Sequence, residues 1–201
     1  LQNINVGVAI TAGKLGIGFT DTNIKVGNTA LDSLTTGVNN TAVGDAALTA
    51  TTTGQRNIAV GSLSLTSNTT GIKNIGIGYE ALGDNTTGDE NTAIGHAALE
   101  KSTTADGNTA VGSNALAVDT TGANNVAVGK GSLESNTTAD NNTAVGYYAL
   151  VSNTTGDQNT AVGANALDSN TTASNNTAVG KNSLQTNTTG TGNVAVGGNA
   201  M

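Results

Sequence analysis

The 201-residue chain has no cysteine, proline or tryptophan, and only 2% of it is aromatic. Without cysteine there are no disulfides and no thiolate metal sites. Charged residues make up 10%, and the 14 Asp and Glu outnumber the 7 Lys and Arg, for a formal net charge of −7. A surface short of Lys and Arg is a poor match for phosphate, which argues against nucleic acid as a partner. The same shortage disfavours docking on anionic lipid. No apolar run reaches the roughly 18 residues that span a bilayer, so no membrane insertion is expected in this segment. The chain starts at Leu1, stops in mid-repeat at Met201 and shows no signal peptide. It reads as a piece of a longer protein whose targeting signals need not lie within it. Low charge with few aromatics also suits disorder, but the strict order of the residues argues otherwise.

What the chain has in quantity is Gly, Thr and Asn, set at a fixed period. Asn recurs at 23, 40, 57 and onward to 193 in steps of 17. A typical unit, Asn142–Gln158, reads N-T-A-V-G-x-x-A-L-x-x-N-T-T-G-x-x; its residues are numbered here as positions 1 to 17. Residues 23–201 hold eleven such units, the last truncated, and residues 1–22 read as a degenerate first coil or a junction to a preceding domain. Such a period is the signature of a stacked repeat architecture.

Fixed columns point to burial or special backbone geometry, and mixed columns to solvent. Position 4 is always Val or Ile, and position 9 is Leu until Met201. These give an expected core of Val43, Val60, Ile77, Ile94, Val111, Val128, Val145, Val162 and Val179 with Leu48, Leu65, Leu82, Leu99, Leu116, Leu133, Leu150, Leu167 and Leu184. Position 5 is always Gly (Gly44, Gly61, Gly78, Gly95, Gly112, Gly129, Gly146, Gly163, Gly180), which predicts a corner with positive φ. Position 1 (Asn40, Asn57, Asn74, Asn91, Asn108, Asn125, Asn142, Asn159, Asn176) predicts a turn residue. Stacked Asn side chains at this position are also expected to bond one another in a ladder. Position 15, Gly in most units but Ala105, Ala139 and Ala173 in three, is a less demanding corner.

Seventeen residues are too few for a helix pair, and no apolar stripe of 3.6-residue period appears. The segments N-T-A-V and x-A-L predict two short strands per unit. The expected fold is all-β, a β-solenoid or parallel β-roll of 17-residue coils about 4.8 Å apart, making a rod of roughly 50 Å. Two large apolar side chains per coil bury far less free energy than the ordering of 17 residues costs. Inter-coil hydrogen bonds must supply much of the difference. Ala at positions 3 and 8 suggests close approach of neighbouring chains. Three chains packed together are therefore expected in preference to a lone solenoid.

The unit N-T-A-V-G-x-x-A-L-x-x-N-T-T-G, seen at 142–156, resembles the repeats of trimeric surface adhesins and phage tail fibres. Its N-T-A-V-G-x-x-A part is similar to the S-V-A-I-G-x-x-A repeats of YadA-like adhesin heads, and the added N-T-T-G-x-x segment is a departure. The resemblance implies a left-handed parallel β-roll and a homotrimer. It also implies an extracellular setting, at a cell surface or on a virion.

Few residues offer chemistry. His96 lies in the variable position 6 beside Tyr79 and reads as solvated. Asp89, Glu90 and Asp106 read as solvated turn residues, without a repeated calcium signature. No phosphate-loop motif accompanies the V-G-x-x-A glycines. N-T-T at Asn68, Asn85, Asn136, Asn153, Asn170 and Asn187 matches a glycosylation acceptor in form but fits turn chemistry better. Tyr79, Tyr147 and Tyr148 are possible surface contacts. No catalytic residue, metal site or cofactor is expected, and the chain does not read as an enzyme. The expected role is the structural shaft of an extracellular adhesive fibre that supports host or surface attachment. Its partners are other copies of itself, and the host cell surface or receptor engages other parts of the fibre. The alternatives are a Thr-rich ice-binding solenoid and a self-assembling filament subunit.

Overall fold

In a computed structural model, residues 22–201 are described; the degenerate coil or junction expected over residues 1–22 lies outside them except for Thr22. The fold is a β-solenoid with 17 residues per coil. Among the described residues, eleven three-residue strands, from β1 (Ile24–Val26) to β11 (Val194–Val196), form one parallel sheet in sequence order. Each strand occupies positions 2 to 4, and the register is one full period. Ile24 pairs with Thr41, Ala93 with Ala110, and Val179 with Val196.

Among the described residues, only one of the two expected strands per coil forms. The x-A-L segment is a chain of turns, because residues at positions 7 and 9 adopt left-handed backbone conformations, as at Ala46 (φ 55°) and Leu48 (φ 52°). Hydrogen bonding between coils continues through it. The Leu48 N–H donates to the Ser64 carbonyl at 3.1 Å in the next coil, and the Ala46 N–H to the Asn28 carbonyl at 2.9 Å in the previous one. The backbone is thus satisfied along the rod axis around most of the perimeter.

The Gly column behaves as its sequence predicts. Gly112 has φ 138°, and a Cβ there would lie 2.6 Å from the Gly129 carbonyl carbon and oxygen. That φ is open essentially to glycine alone.

The interior is narrow. Strand residues alternate between faces, and position 3 points inward. Ala42, Ala59, Ala93 and Ala110 are fully buried, as are Ala47, Ala81 and Ala98 at position 8 and the Leu column at position 9 from Leu48 to Leu167. Positions 3 and 8 were expected to serve contacts between chains. They are instead small because the coil interior holds little besides one Leu per turn. Gly76 replaces Ala in one coil, where a Cβ would meet Ser64 Oγ at 2.6 Å. That hydroxyl donates to the Gly76 carbonyl at 2.8 Å.

The Val/Ile column of position 4 is a correction. Val60, Ile77, Ile94, Val145 and Val179 are 36–38% exposed. Val43, Val111, Val128 and Val162 are partly exposed on the same outer face. With alanine at position 3 facing inward, pleating forces positions 2 and 4 outward.

Candidate functional site

The repeated polar machinery is a pair of asparagine ladders. In the first, at position 1, each Asn Oδ1 accepts from the backbone N–H of the Asn one coil on. Asn40 receives Asn57 at 3.0 Å, Asn91 receives Asn108 at 2.9 Å, and Asn159 receives Asn176 at 3.0 Å. The amide nitrogen crosses its own coil to the position-15 carbonyl, as from Asn57 to Gly71 at 2.8 Å and from Asn108 to Gly122 at 2.7 Å. These side chains are buried. Each one ties two coils together and most also close their own coil, satisfying backbone groups that would otherwise be costly to bury; the amide nitrogens of Asn142 and Asn176 are buried without a partner.

The second ladder, at position 12, was not recognised in the sequence. Asn85 Nδ2 donates to Asn68 Oδ1 at 2.9 Å, Asn153 to Asn136 at 3.1 Å, and Asn170 to Asn153 at 3.0 Å. Each amide also donates to the position-15 carbonyl three residues on, as from Asn153 to Gly156 at 2.9 Å. At Gly71 and Ala139 that carbonyl accepts from both ladders. The six-fold recurrence of N-T-T was the available signal. Thr51, Ser102 and Asp119 in the same column disguised it. Burial of Asn68, Asn85, Asn136, Asn153 and Asn170 removes these amides from the reach of a glycosyl-transfer enzyme in the folded chain.

The outer face of the sheet is an extended surface that repeats without charge and carries the exposed Val and Ile side chains. Position 2 supplies Thr, Ile or Val, position 4 supplies Val or Ile, and neither column contains a charged residue from Ile24 to Val196. Eleven rungs at about 4.8 Å make a stripe roughly 50 Å long and about 10 Å wide.

Elsewhere the surface is varied. Tyr79 and His96 stack at 5.6 Å between ring centroids, one coil apart in position 6. The Glu80 carboxylate, hydrogen-bonded to the Tyr79 hydroxyl, holds that phenol above its ordinary range. Tyr147 and Tyr148 meet edge to face at 4.3 Å, and Tyr148 covers Gly131 in the coil before. The structure therefore keeps Tyr79 apart from the Tyr147–Tyr148 pair. Lys73 pairs with Glu90, which it holds below the usual carboxylate range, and Lys101 bridges Glu100 and Asp84. Exposed pairs of this kind contribute little stability.

Asp89, Asp106, Asp140 and Asp157 serve the backbone. Asp89 Oδ1 accepts from the Ile72 N–H at 2.8 Å, and Asp140 Oδ1 from the Ala123 N–H at 2.7 Å. Among the described residues no group of three or more His, Cys, Asp or Glu is placed to hold a metal ion. The Thr-Thr pair divides its roles. Position-13 hydroxyls donate to the carbonyl of the next coil's Thr, as from Thr69 to Thr86 at 3.0 Å. Position 14, including Thr70, Thr87 and Thr104, faces solvent.

Comparison with protein-family models, curated proteins and solved structures finds no match to this chain. The class is defined by the fold itself: this is an all-β repeat protein, a β-solenoid of 17-residue coils.

Proposed function

We propose that the chain is a shaft segment of an extracellular adhesive fibre in which three copies pack through their outer sheet faces. The observation that carries the reading is the uncharged Val/Ile/Thr stripe running the length of the sheet. Parallel sheets are ordinarily covered on both faces, and an apolar patch of this extent on a monomer marks a contact surface. Its area is about 500 Å² per chain, so two facing stripes bury about 1,000 Å², the lower bound of a specific interface. A second copy matches the stripe rung for rung, because only an equal period keeps side chains interdigitated along 50 Å or so. The resemblance of the repeats to trimeric surface adhesins and tail fibres supports both the number three and the extracellular setting, at a cell surface or on a virion. On this reading the role is mechanical. The rod holds a fixed length while other parts of the fibre engage the host or receptor.

The test is the native mass of the purified chain, by light scattering or native mass spectrometry. Three chains are expected. A folded monomer would overturn the proposal, and polymers that grow with concentration would favour the filament alternative.

A further inference from the structure

The second ladder has one rung of a different chemistry. Position 12 of the coil 108–124 is Asp119, fully buried. Its Oδ1 accepts from Asn136 Nδ2 at 2.8 Å, as the amide oxygens of sibling rungs do. That oxygen also lies against Gly122 as Asn68, Asn85 and Asn153 Oδ1 lie against their own position-15 glycines. The distances to an ideal Cβ are 2.5 Å here and 2.4, 2.5 and 2.6 Å in the siblings. Oδ2 therefore stands where the siblings hold Nδ2, and no hydrogen bond to it is made. In the siblings that nitrogen donates to the position-15 carbonyl at 2.9–3.2 Å. The Gly122 carbonyl accepts from Asn108 at 2.7 Å, which leaves a lone pair on the side facing Asp119.

The rung also sits at a break in the ladder. Ser102, one coil back, is too short to continue it, and Ser102 Oγ and Asn85 Oδ1 are both buried without partners. Asp119 thus begins a run through Asn136, Asn153, Asn170 and Asn187 in which only its acceptor oxygen is needed by the next coil.

The geometry points to Asp119 as a proton-carrying rung, a neutral carboxylic acid that replaces the asparagine amide and makes this coil a pH-sensitive joint in the rod. With a proton on Oδ2 it donates to the Gly122 carbonyl. Without the proton, two oxygen lone pairs face each other in a buried site. Burial is the main cause that pushes this carboxyl up to about 7, against the hydrogen bonds from Asn136 and Gly122. Of the charged groups in the packed coils, Asp140, one coil on, also opposes ionisation. Asp106, at position 16 one coil back, is exposed and accepts the Asp89 N–H at 2.7 Å.

The sign follows from linkage. The folded chain holds this proton up to about pH 7, whereas the unfolded chain releases it near 3.8. The rung's full stability is present below the lower value, declines between the two, and is lost as pH rises through the upper one.

The experiment compares thermal unfolding of the wild type and Asp119→Asn at pH 5 and pH 8, with ¹³C NMR titration of the wild-type carboxyl. The wild type should melt lower at pH 8 than at pH 5. The variant, with a permanent donor, should lose most of that difference and melt higher than wild type at pH 8. The NMR midpoint should fall near 7. A carboxyl midpoint near 4, or a pH dependence that survives in Asp119→Asn, would overturn the proposal.

Discussion

At the residue scale, the fold depends on backbone conformations that most side chains avoid. Gly is required at position 5, where φ lies between 130° and 141° in every coil from Gly27 to Gly197. At position 9 the same left-handed half of the map holds a leucine, as in Leu116 (φ 52°) and Leu133 (φ 51°). A non-glycine residue there costs roughly 1–2 kcal/mol, and complete burial of the leucine side chain offsets it. The two glycine columns separate on the same ground. An ideal Cβ at Gly88 would lie 2.3 Å from the Ala105 carbonyl oxygen, about as close as one at Gly112 lies to Gly129. Yet Ala105, Ala139 and Ala173 occupy position 15, where φ is not positive, so a Cβ is accommodated there. Gly112→Ala should therefore cost at least about 3 kcal/mol, combining a strained φ with backbone overlap. Gly88→Ala should cost less than about 1 kcal/mol. Urea titration of the two variants measures the difference, and equal losses would refute the role given to φ.

At the scale of one coil, the sequence made the period, the corners, the Leu column and the first Asn ladder legible. Each of these is a single residue type doing a single job in every turn. Three features were hidden for physical reasons. Val outranks Ala in hydrophobicity, so the position-4 column reads as core. A strand of three residues, however, must choose between its middle side chain and its two flanking ones. A coil already holding Leu48 or Leu65 accommodates only the alanine between them. The x-A-L strand failed because alternating left-handed residues can point N–H and C=O groups along the rod as a strand does, and Ala, Tyr or Leu at those places gives no sign of it. The second ladder was obscured by its own tolerance, since Asn, Ser, Thr and Asp all fill position 12. The corrected core makes a direct prediction. Leu116→Ala empties the centre of a coil that has no other large side chain there, and should cost about 2–5 kcal/mol in urea or thermal unfolding. A loss below about 1 kcal/mol would return the core to another column.

At the scale of the molecule, coils contact only their neighbours, so stability accumulates along the rod and a lateral surface is repeated at every rung. The outer face can therefore be altered without touching the hydrogen bonds that hold one coil on the next. Val111, Val128 and Val145 lie on three consecutive rungs, partly exposed and free of charge on either side. Replacing all three by Lys puts cations at the centre of the stripe. Their stems remain compatible with an exposed strand, but burying the charges against the same three cations on another copy is strongly unfavourable. The expected outcome is a fall in native mass from three chains to one, with the β-type circular dichroism kept at low temperature and a lower melting point. The control carries the same added charge outside the sheet, as Lys at Thr70, Thr87 and Thr104, which are exposed in position 14. That variant should keep the mass of the wild type. If the outer-face variant keeps it as well, the stripe is not where the chains meet. If both variants fall apart, net charge rather than the face governs assembly. Only dissociation confined to the position-4 variant ties the exposed valine column to the contact between chains.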